Sequence, residues 1–288
     1  MENILEVQQV SKTFSKSKFS LENVSFNLPY GAIMGFVGEN GAGKTTMIGC
    51  ILNTIKKDSG KIKLFGKEMF DADTAMREKI GVVYDGNNFP TNWTARQLAG
   101  IMAGFYTQWD NALFLKYIEN FKLPTNQKIK HYSRGMTMKL AITVALSHHP
   151  QLLILDEATS GLDPIVRDEM LDVFLDFIQE ENHSVLLSSH ITSDLEKIAD
   201  YIVFIHQGKV IFMKSKNELK NQYGIIRCGH EQFRAIDGQD IAVARKQGDV
   251  WEVLFSDRNL AQKKYPNVVI EVATIDEIML LYIKGVEK

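Results

Sequence analysis

The chain opens on two short apolar-rich runs, Ile4 to Val10 and Leu21 to Leu28, separated by a polar stretch, Ser11 to Lys18, whose composition predicts a turn. Ala32 to Val37 is a compact apolar run ending in a glycine cluster, and helix-compatible spacing follows from Thr45 to Ile55. Strand, loop and helix are expected there in succession. Further continuous runs at Ile80 to Tyr84, Leu152 to Leu155 and Val185 to Leu187 have the character of strands buried on both faces of a parallel sheet. The helices between them are marked by their starts. Thr94 with Gln97 predicts a capping box for a helix through Leu98, Met102 and Phe105, and a second helix is expected from Asp110. Asp163 as N-cap and Pro164 in the first turn open another, with Val166, Met170, Phe174 and Ile178 on one face. Such alternation of strands and helices predicts an α/β core.

Towards the end the pattern changes. Tyr201 to Phe212 reads as a hairpin turning near Gly208, and short strands are expected around Ile225, Ile241 and Val253. Thr274 and Glu277 then predict a capping box and a final helix through Met279, Leu280 and Ile283. Residues 1–219 are therefore expected to form one domain, and residues 220–288 a small α+β appendage with a regulatory or dimerisation role.

Composition narrows the function classes. With 45% apolar and 24% charged residues over 288 positions, the chain has enough material for a proper hydrophobic core. A net charge of -2 leaves no basic excess, so no nucleic acid partner is expected. Cys50 and Cys228 are too few for a disulfide framework or a zinc site, and they fit a reducing cytosol. No run approaches the roughly 18 apolar residues of a membrane span, and Met1-Glu2-Asn3 lacks the features of a signal peptide. The chain is not expected to cross a membrane itself.

Two motifs carry chemistry. Gly38-Glu39-Asn40-Gly41-Ala42-Gly43-Lys44-Thr45, between a predicted strand and a predicted helix, has the spacing of a phosphate-binding loop, with Thr46 next in the helix. Glycines there let successive amide N–H groups point inward, and the helix adds its positive end to the same point. Lys44 is expected to reach the β- and γ-phosphates of ATP, and the Thr45 hydroxyl to offer an oxygen ligand to Mg²⁺. The second motif is Leu152 to Leu155 followed by Asp156 and Glu157. Alone, an apolar run ending in two acids is more often an ordinary strand end. Beside the phosphate loop, Asp156 is expected on the Mg²⁺ side and Glu157 as the carboxylate that polarises an attacking water.

In several places at once the chain resembles the ABC ATPases. Tyr132-Ser133-Arg134-Gly135-Met136 looks like a divergent form of their Leu-Ser-Gly-Gly-Gln signature, Ser160-Gly161-Leu162-Asp163 is similar to their D-loop, and Ser188-Ser189-His190 matches their switch histidine. Phe14 occupies the place of the aromatic that stacks on adenine. The resemblance covers about residues 4 to 220 and implies a P-loop NTPase fold: a RecA-like core, an antiparallel β-subdomain and an α-helical signature subdomain at about residues 90–150. It also implies head-to-tail pairing with a second nucleotide-binding subunit, the same chain or a different cassette. Ser133, Arg134, Gly135 and Met136 would then face the γ-phosphate held by the opposite subunit, and Asp163 would sit at the subunit interface. His190 would contact the γ-phosphate and orient Glu157 and the water.

An integral membrane permease is the other implied partner, which would place the chain at the cytoplasmic face of the cell membrane. The region from Asn87 to Trp109, with Phe89, Trp93, Phe105 and Trp109, corresponds to the family's permease-docking groove. The chain departs from the family in two places. Asp85 stands where most members carry a Gln that contributes to Mg²⁺ and water binding, and Arg134 and Met136 replace a Gly and a Gln of the signature. Signatures of this Ser-basic-Gly-Met kind look like those of bacterial ABC-2 type exporters for peptides and antibiotics. A soluble ABC protein acting on ribosomes or DNA would be expected to carry two cassettes, a coiled-coil insertion or zinc-binding cysteines, and none is present. A regulatory nucleotide sensor would be expected to lack Glu157 or His190, and the chain has both.

Overall fold

The computed structural model describes residues 2–15, 18–68, 73–86 and 89–287. Lys16 and Ser17 of the expected turn, Asn87 at the start of the expected groove, and Met1 and Lys288 at the chain ends lie outside the described residues. The first two strands, β1 (Asn3–Thr13) and β2 (Ser20–Pro29), pair antiparallel and, with β4 (Ser59–Leu64) and β5 (Lys67–Glu68), form a sheet of order β2-β1-β4-β5. A second sheet takes β3 (Ile33–Val37), β6 (Ile80–Val83), β7 (Leu152–Asp156), β8 (Ser184–Ser189), β9 (Tyr201–His206) and β10 (Lys209–Ser215) in the order β10-β9-β3-β8-β7-β6. All its neighbours run parallel except the hairpin β9-β10, which turns at Gly208 as the sequence predicts.

Alternation along the central strands decides what covers each face of this sheet. Met34, Phe36, Leu152, Ile154 and Leu186 point to one side, where the antiparallel sheet and helix α1 (Lys44–Ile51) bury them. Ile33, Val37, Leu153, Leu155, Val185 and Leu187 point to the other, against α5 (Arg134–Leu146), α6 (Pro164–Phe177) and α7 (Thr192–Ile198). The short α2 (Thr74–Arg77) leads into β6. With α5, the helices α3 (Ala95–Phe105) and α4 (Asn111–Asn120) close a separate small core around Leu98, Phe114, Ile118 and Leu140. The predicted capping box at Thr94 and Gln97 is present, as are the N-caps Asp110 and Asp163.

Some boundaries differ from expectation. Strand β1 runs on through Thr13, into the stretch expected to turn from Ser11. Helix α1 ends at Ile51 rather than Ile55, because Asn53 turns into the left-handed region at φ 55° and the N–H groups of Thr54 and Ile55 fold back onto the Gly49 carbonyl. Asparagine is among the residues that tolerate this conformation.

The chain continues through α8 (Lys216–Gln222), α9 (His230–Ala235) and α10 (Arg258–Lys264) beside a third sheet. Its strands β11 (Gly224–Cys228), β12 (Ile241–Gln247), β13 (Val250–Phe255), β14 (Glu271–Val272) and β15 (Val286–Glu287) are ordered β14-β11-β13-β12-β15. Helix α11 (Ile275–Lys284) opens on the predicted Thr274 and Glu277 capping box. One face of this sheet has its own core around Ile226, Phe233, Val253 and Phe255, while Ile225, Val243 and Leu254 join the cluster that covers the central sheet. Helix α11 lies against α7: the Ile275 N–H donates to Glu196 Oε1 at 3.1 Å, and the Tyr282 ring packs near those of Phe204 and Phe212.

At the root of the helical subdomain, Glu78 accepts from the Thr107 N–H and hydroxyl at 3.1 and 2.6 Å. Beside it His148 is buried, stacked on Tyr106 with ring centroids 4.0 Å apart, its nitrogens facing the Val144 and Ile80 carbonyl oxygens at 3.3 and 3.2 Å. Burial pushes its pKa below the ordinary 6.5; hydrogen bonds to the Ile80 and Val144 carbonyls and the nearby Glu78 oppose the shift, and His149 adds to it. A base whose folded-state pKa is lowered contributes stability that is fully present above its unfolded value and lost as pH falls through its folded value. Thermal unfolding followed from about pH 7.5 down to about pH 5 is therefore expected to fall more steeply in the parent than in His148→Gln. Parallel curves for the two proteins would remove His148 as the cause.

Candidate active site

Strand β3 delivers the chain into the phosphate loop at Gly38, and α1 takes it away at Lys44. Two of its glycines are required by space. A Cβ at Gly38 would stand 2.4 Å from the Ile205 carbonyl oxygen, and one at Gly43, at φ 112°, would stand 2.7 Å from Leu21 Cδ2. Ala42 is buried and pins the loop, its N–H donating to the Glu39 carbonyl and its carbonyl accepting from the Gly208 N–H. The result is a cleft of about 320 Å³ in which Asn40, Gly41, Gly43, Lys44, Thr45 and Thr46 face Glu157.

The catalytic candidates converge on this cleft. Thr45 donates its hydroxyl to Asp156 Oδ2 at 2.8 Å. Lys44 is 6% exposed; its Nζ donates to the Gly38 carbonyl at 2.7 Å and pairs with Glu157 Oε1 at 3.1 Å. The other Glu157 oxygen meets His190 Nδ1 at 2.6 Å. Glu157 thus bridges the phosphate-loop lysine and the switch histidine, which the parallel order β3-β8-β7 brings to the same edge of the sheet. Its backbone is left-handed at φ 53°, a conformation that costs a residue with a Cβ about 1 to 3 kcal/mol and persists where the surroundings impose it. Chemically, the cleft offers amide N–H groups and a cation to an anionic chain of phosphates, and a carboxylate to a water. The hydroxyl and carboxylate oxygens of Thr45 and Asp156 are hard donors of the kind that suit Mg²⁺.

The aromatic that lines the cleft is Phe19. Phe14, the residue expected to stack on adenine, is half-buried beside it, with ring centroids 6.5 Å apart and Lys12 Nζ 5.5 Å from its own ring. Its neighbour Thr13 is clamped by Asp58, whose Oδ2 accepts the Thr13 N–H and hydroxyl at 2.7 Å each. Phe19 went unnoticed in the sequence because it closes a polar stretch, and its only signal was adjacency to the apolar run starting at Leu21.

The signature segment sits on the surface. Ser133 is the N-cap of α5, its Oγ accepting the Met136 N–H at 3.2 Å, and Gly135 lies in the first turn behind it. Arg134 reaches back within its own chain: its guanidinium pairs with Asp85 at 2.8 Å and lies against Gly161 of the D-loop, where an added Cβ would meet it at 2.7 Å. Asp85 and Arg134 are each about half exposed. Asp163 is exposed and caps α6, and Ile165 beside it is 74% exposed. Of the expected docking aromatics, Phe89, Trp93 and Trp109 pack against the helical-subdomain core, while Phe105 stands 74% exposed. No helix among the described residues is long and apolar enough to cross a membrane.

Known proteins resemble this chain in sequence and in fold. The ABC transporter family model matches residues 21–160. The bacitracin transport ATP-binding protein BcrA of Bacillus licheniformis is 36% identical over 73% of this chain and 69% of its own length. The lantibiotic transport ATP-binding protein SrtF of Streptococcus pyogenes is 32% identical over 76% of this chain and 93% of its own. The ABC transporter ATP-binding protein YtrB of Bacillus subtilis is 28% identical, and its match extends over 91% of this chain. Among solved structures, an ATP-binding subunit of an ABC transporter superposes with a TM-score of 0.69 at 26% identity, covering 75% of this chain and 92% of that one. The fold is shared by the dimeric cassette MJ0796, bound to ADP and Pi in a post-hydrolysis state, with a TM-score of 0.67 at 21% identity over 74% of this chain and 98% of that one. By sequence and by fold, then, the chain belongs to the ATP-binding proteins of ABC transporters, the ATP-hydrolysing subunits that power transport.

Proposed function

We propose that two nucleotide-binding subunits close head to tail on MgATP and drive an export permease for peptide antibiotics or chemically similar peptides. The observation that carries the reading is the bridge of Glu157 between Lys44 and His190 at the mouth of the phosphate loop. Phosphates entering the cleft compete for Lys44, which frees Glu157 to take a proton from a water that His190 helps to orient. Phe14 and Phe19 offer ring faces beside the cleft for the nucleobase. Thr45 and Asp156 would hold Mg²⁺, which when bound neutralises charge on the phosphate oxygens. The exposed Ser133 and the N-terminus of α5 are suited to meet the γ-phosphate of the opposite subunit, with Asp163 at the same interface. Peptide cargo is supported by the names of the relatives, bacitracin and lantibiotic transport proteins. The membrane location follows from the permease, and the exposed Phe105 is the side chain best placed to touch it.

Asp85 stays in this reading as a residue of the metal side, its charge partly balanced by Arg134. Asp85→Gln is expected to narrow the difference in ATP affinity with and without Mg²⁺, because an anion near the phosphates repels metal-free nucleotide more than MgATP. An unchanged difference in a folded variant would leave Asp85 as a partner of Arg134 only. The function itself is tested by isolating the intact complex from its native membrane and identifying what comes with it. A polytopic membrane protein and ATPase activity stimulated by a peptide antibiotic are expected, and a complex without a membrane protein would overturn the assignment.

A further inference from the structure

Ser188 ends the apolar run of β8 and is fully buried. A serine hydroxyl has one proton to give and lone pairs to receive. Here the proton goes to Asp156 Oδ1 at 2.5 Å, and the oxygen accepts the Glu157 N–H at 3.1 Å. Asp156 is 4% exposed and its second oxygen takes the Thr45 hydroxyl, so its carboxylate is fixed in rotation between two hydroxyl groups on two different elements. The Glu157 N–H is also within 3.2 Å of the Ser188 carbonyl, and both contacts hold the residue whose backbone is left-handed. One side chain therefore touches the metal-side acid and the peptide unit of the water-activating acid together.

We propose that Ser188 is a positioning residue of the ATPase site, setting the plane of the Asp156 carboxylate towards Mg²⁺ and, through the Glu157 N–H, the direction of the Glu157 side chain. The inference rests on the MgATP reading above. Without the hydroxyl, Asp156 Oδ1 is a buried anionic oxygen with no hydrogen-bond donor among the described residues, and a hydrogen bond to a charged group of this kind is worth about 1.5 to 3 kcal/mol, or roughly 10- to 150-fold in an equilibrium. Relief comes from turning the carboxylate, which moves the very oxygens offered to the metal. Ser184 is an internal control: it lies on the same strand, is equally buried, and donates its hydroxyl to the Pro29 carbonyl far from the acids.

The test titrates a fluorescent ATP analogue into parent, Ser188→Ala and Ser184→Ala, with Mg²⁺ and with chelator, alongside thermal unfolding without nucleotide and steady-state turnover. Ser188→Ala is expected to bind the metal-free analogue within about twofold of the parent, to lose about tenfold or more of the affinity gained with Mg²⁺, and to lower kcat by a similar factor. Ser184→Ala is expected to shift the unfolding temperature while keeping the Mg²⁺ gain. If Ser188→Ala does not fold, Ser188→Cys, which keeps the shape with only a weak donor, is read by the same criteria. A Mg²⁺ gain within twofold of the parent in the folded variant, or the same loss in Ser184→Ala, would overturn the assignment to Ser188. A parent with no Mg²⁺ gain at all would overturn the MgATP reading with it.

Discussion

Glu157→Gln is expected to lose at least about 100-fold in ATP turnover while holding nucleotide within about threefold of the parent affinity. The amide fills the same space between Lys44 and His190, and its oxygen still accepts from Lys44. What disappears is the group able to take a proton from water, so the chemical step slows while the bound state survives. A dimer carrying nucleotide should accumulate, visible as a shift in elution volume when ATP is present. Phosphate release at the parental rate would remove Glu157 from the reaction.

Lys44→Ala should fail earlier, at binding. A lysine that is 6% exposed and ringed by the Gly38 carbonyl and the Glu157 carboxylate supplies the only side-chain cation lining the cleft among the described residues. Losing a charge-assisted contact to phosphate costs about 1.5 to 3 kcal/mol, so affinity for ATP should drop by roughly 10- to 150-fold. Removing the cation also leaves Glu157 facing the incoming phosphates as an unbalanced anion, which pushes the loss to the upper end of that range. Equilibrium titration separates this defect from that of Glu157→Gln, which binds and stalls. Parental affinity in Lys44→Ala would mean that the loop amides alone hold the phosphates.

Most of the central sheet could be read directly because its strands are continuous apolar runs, and the starts of α3, α4, α6 and α11 because Thr94, Asp110, Asp163 and Thr274 are side-chain caps written next to the residues they cap. Local rules of this kind depend on neighbours in sequence. The end of α1 depended instead on the backbone choice of one asparagine, Asn53. Strand β4 carries only Ile62 and Leu64 as apolar residues among polar ones, too sparse to stand out until β1 pairs with it. Site residues divided in the same way. Lys44, Thr45, Asp156 and Glu157 follow from fixed spacings, whereas the meeting of Arg134 with Asp85, 49 positions away, follows only from how the helical subdomain folds over the sheet. Ser188 did leave a trace: a polar residue beside the apolar run of a buried strand must find a partner, and the nearest polar group on the neighbouring strand is Asp156.

The seam between α11 and α7 has a consequence for protein engineering. Helix α7 begins two residues after His190, and its opposite end receives the Ile275 N–H through Glu196, with Tyr282 lodged by Phe204 and Phe212 on the hairpin next door. A swap that exchanges only the last quarter of the chain, from α8 onward, between homologous cassettes would therefore cut through a packed layer rather than across a linker. Chimaeras should tolerate the exchange when α7 and the β9-β10 hairpin travel with the tail, and precipitate or expose apolar surface when the crossover is placed at α8.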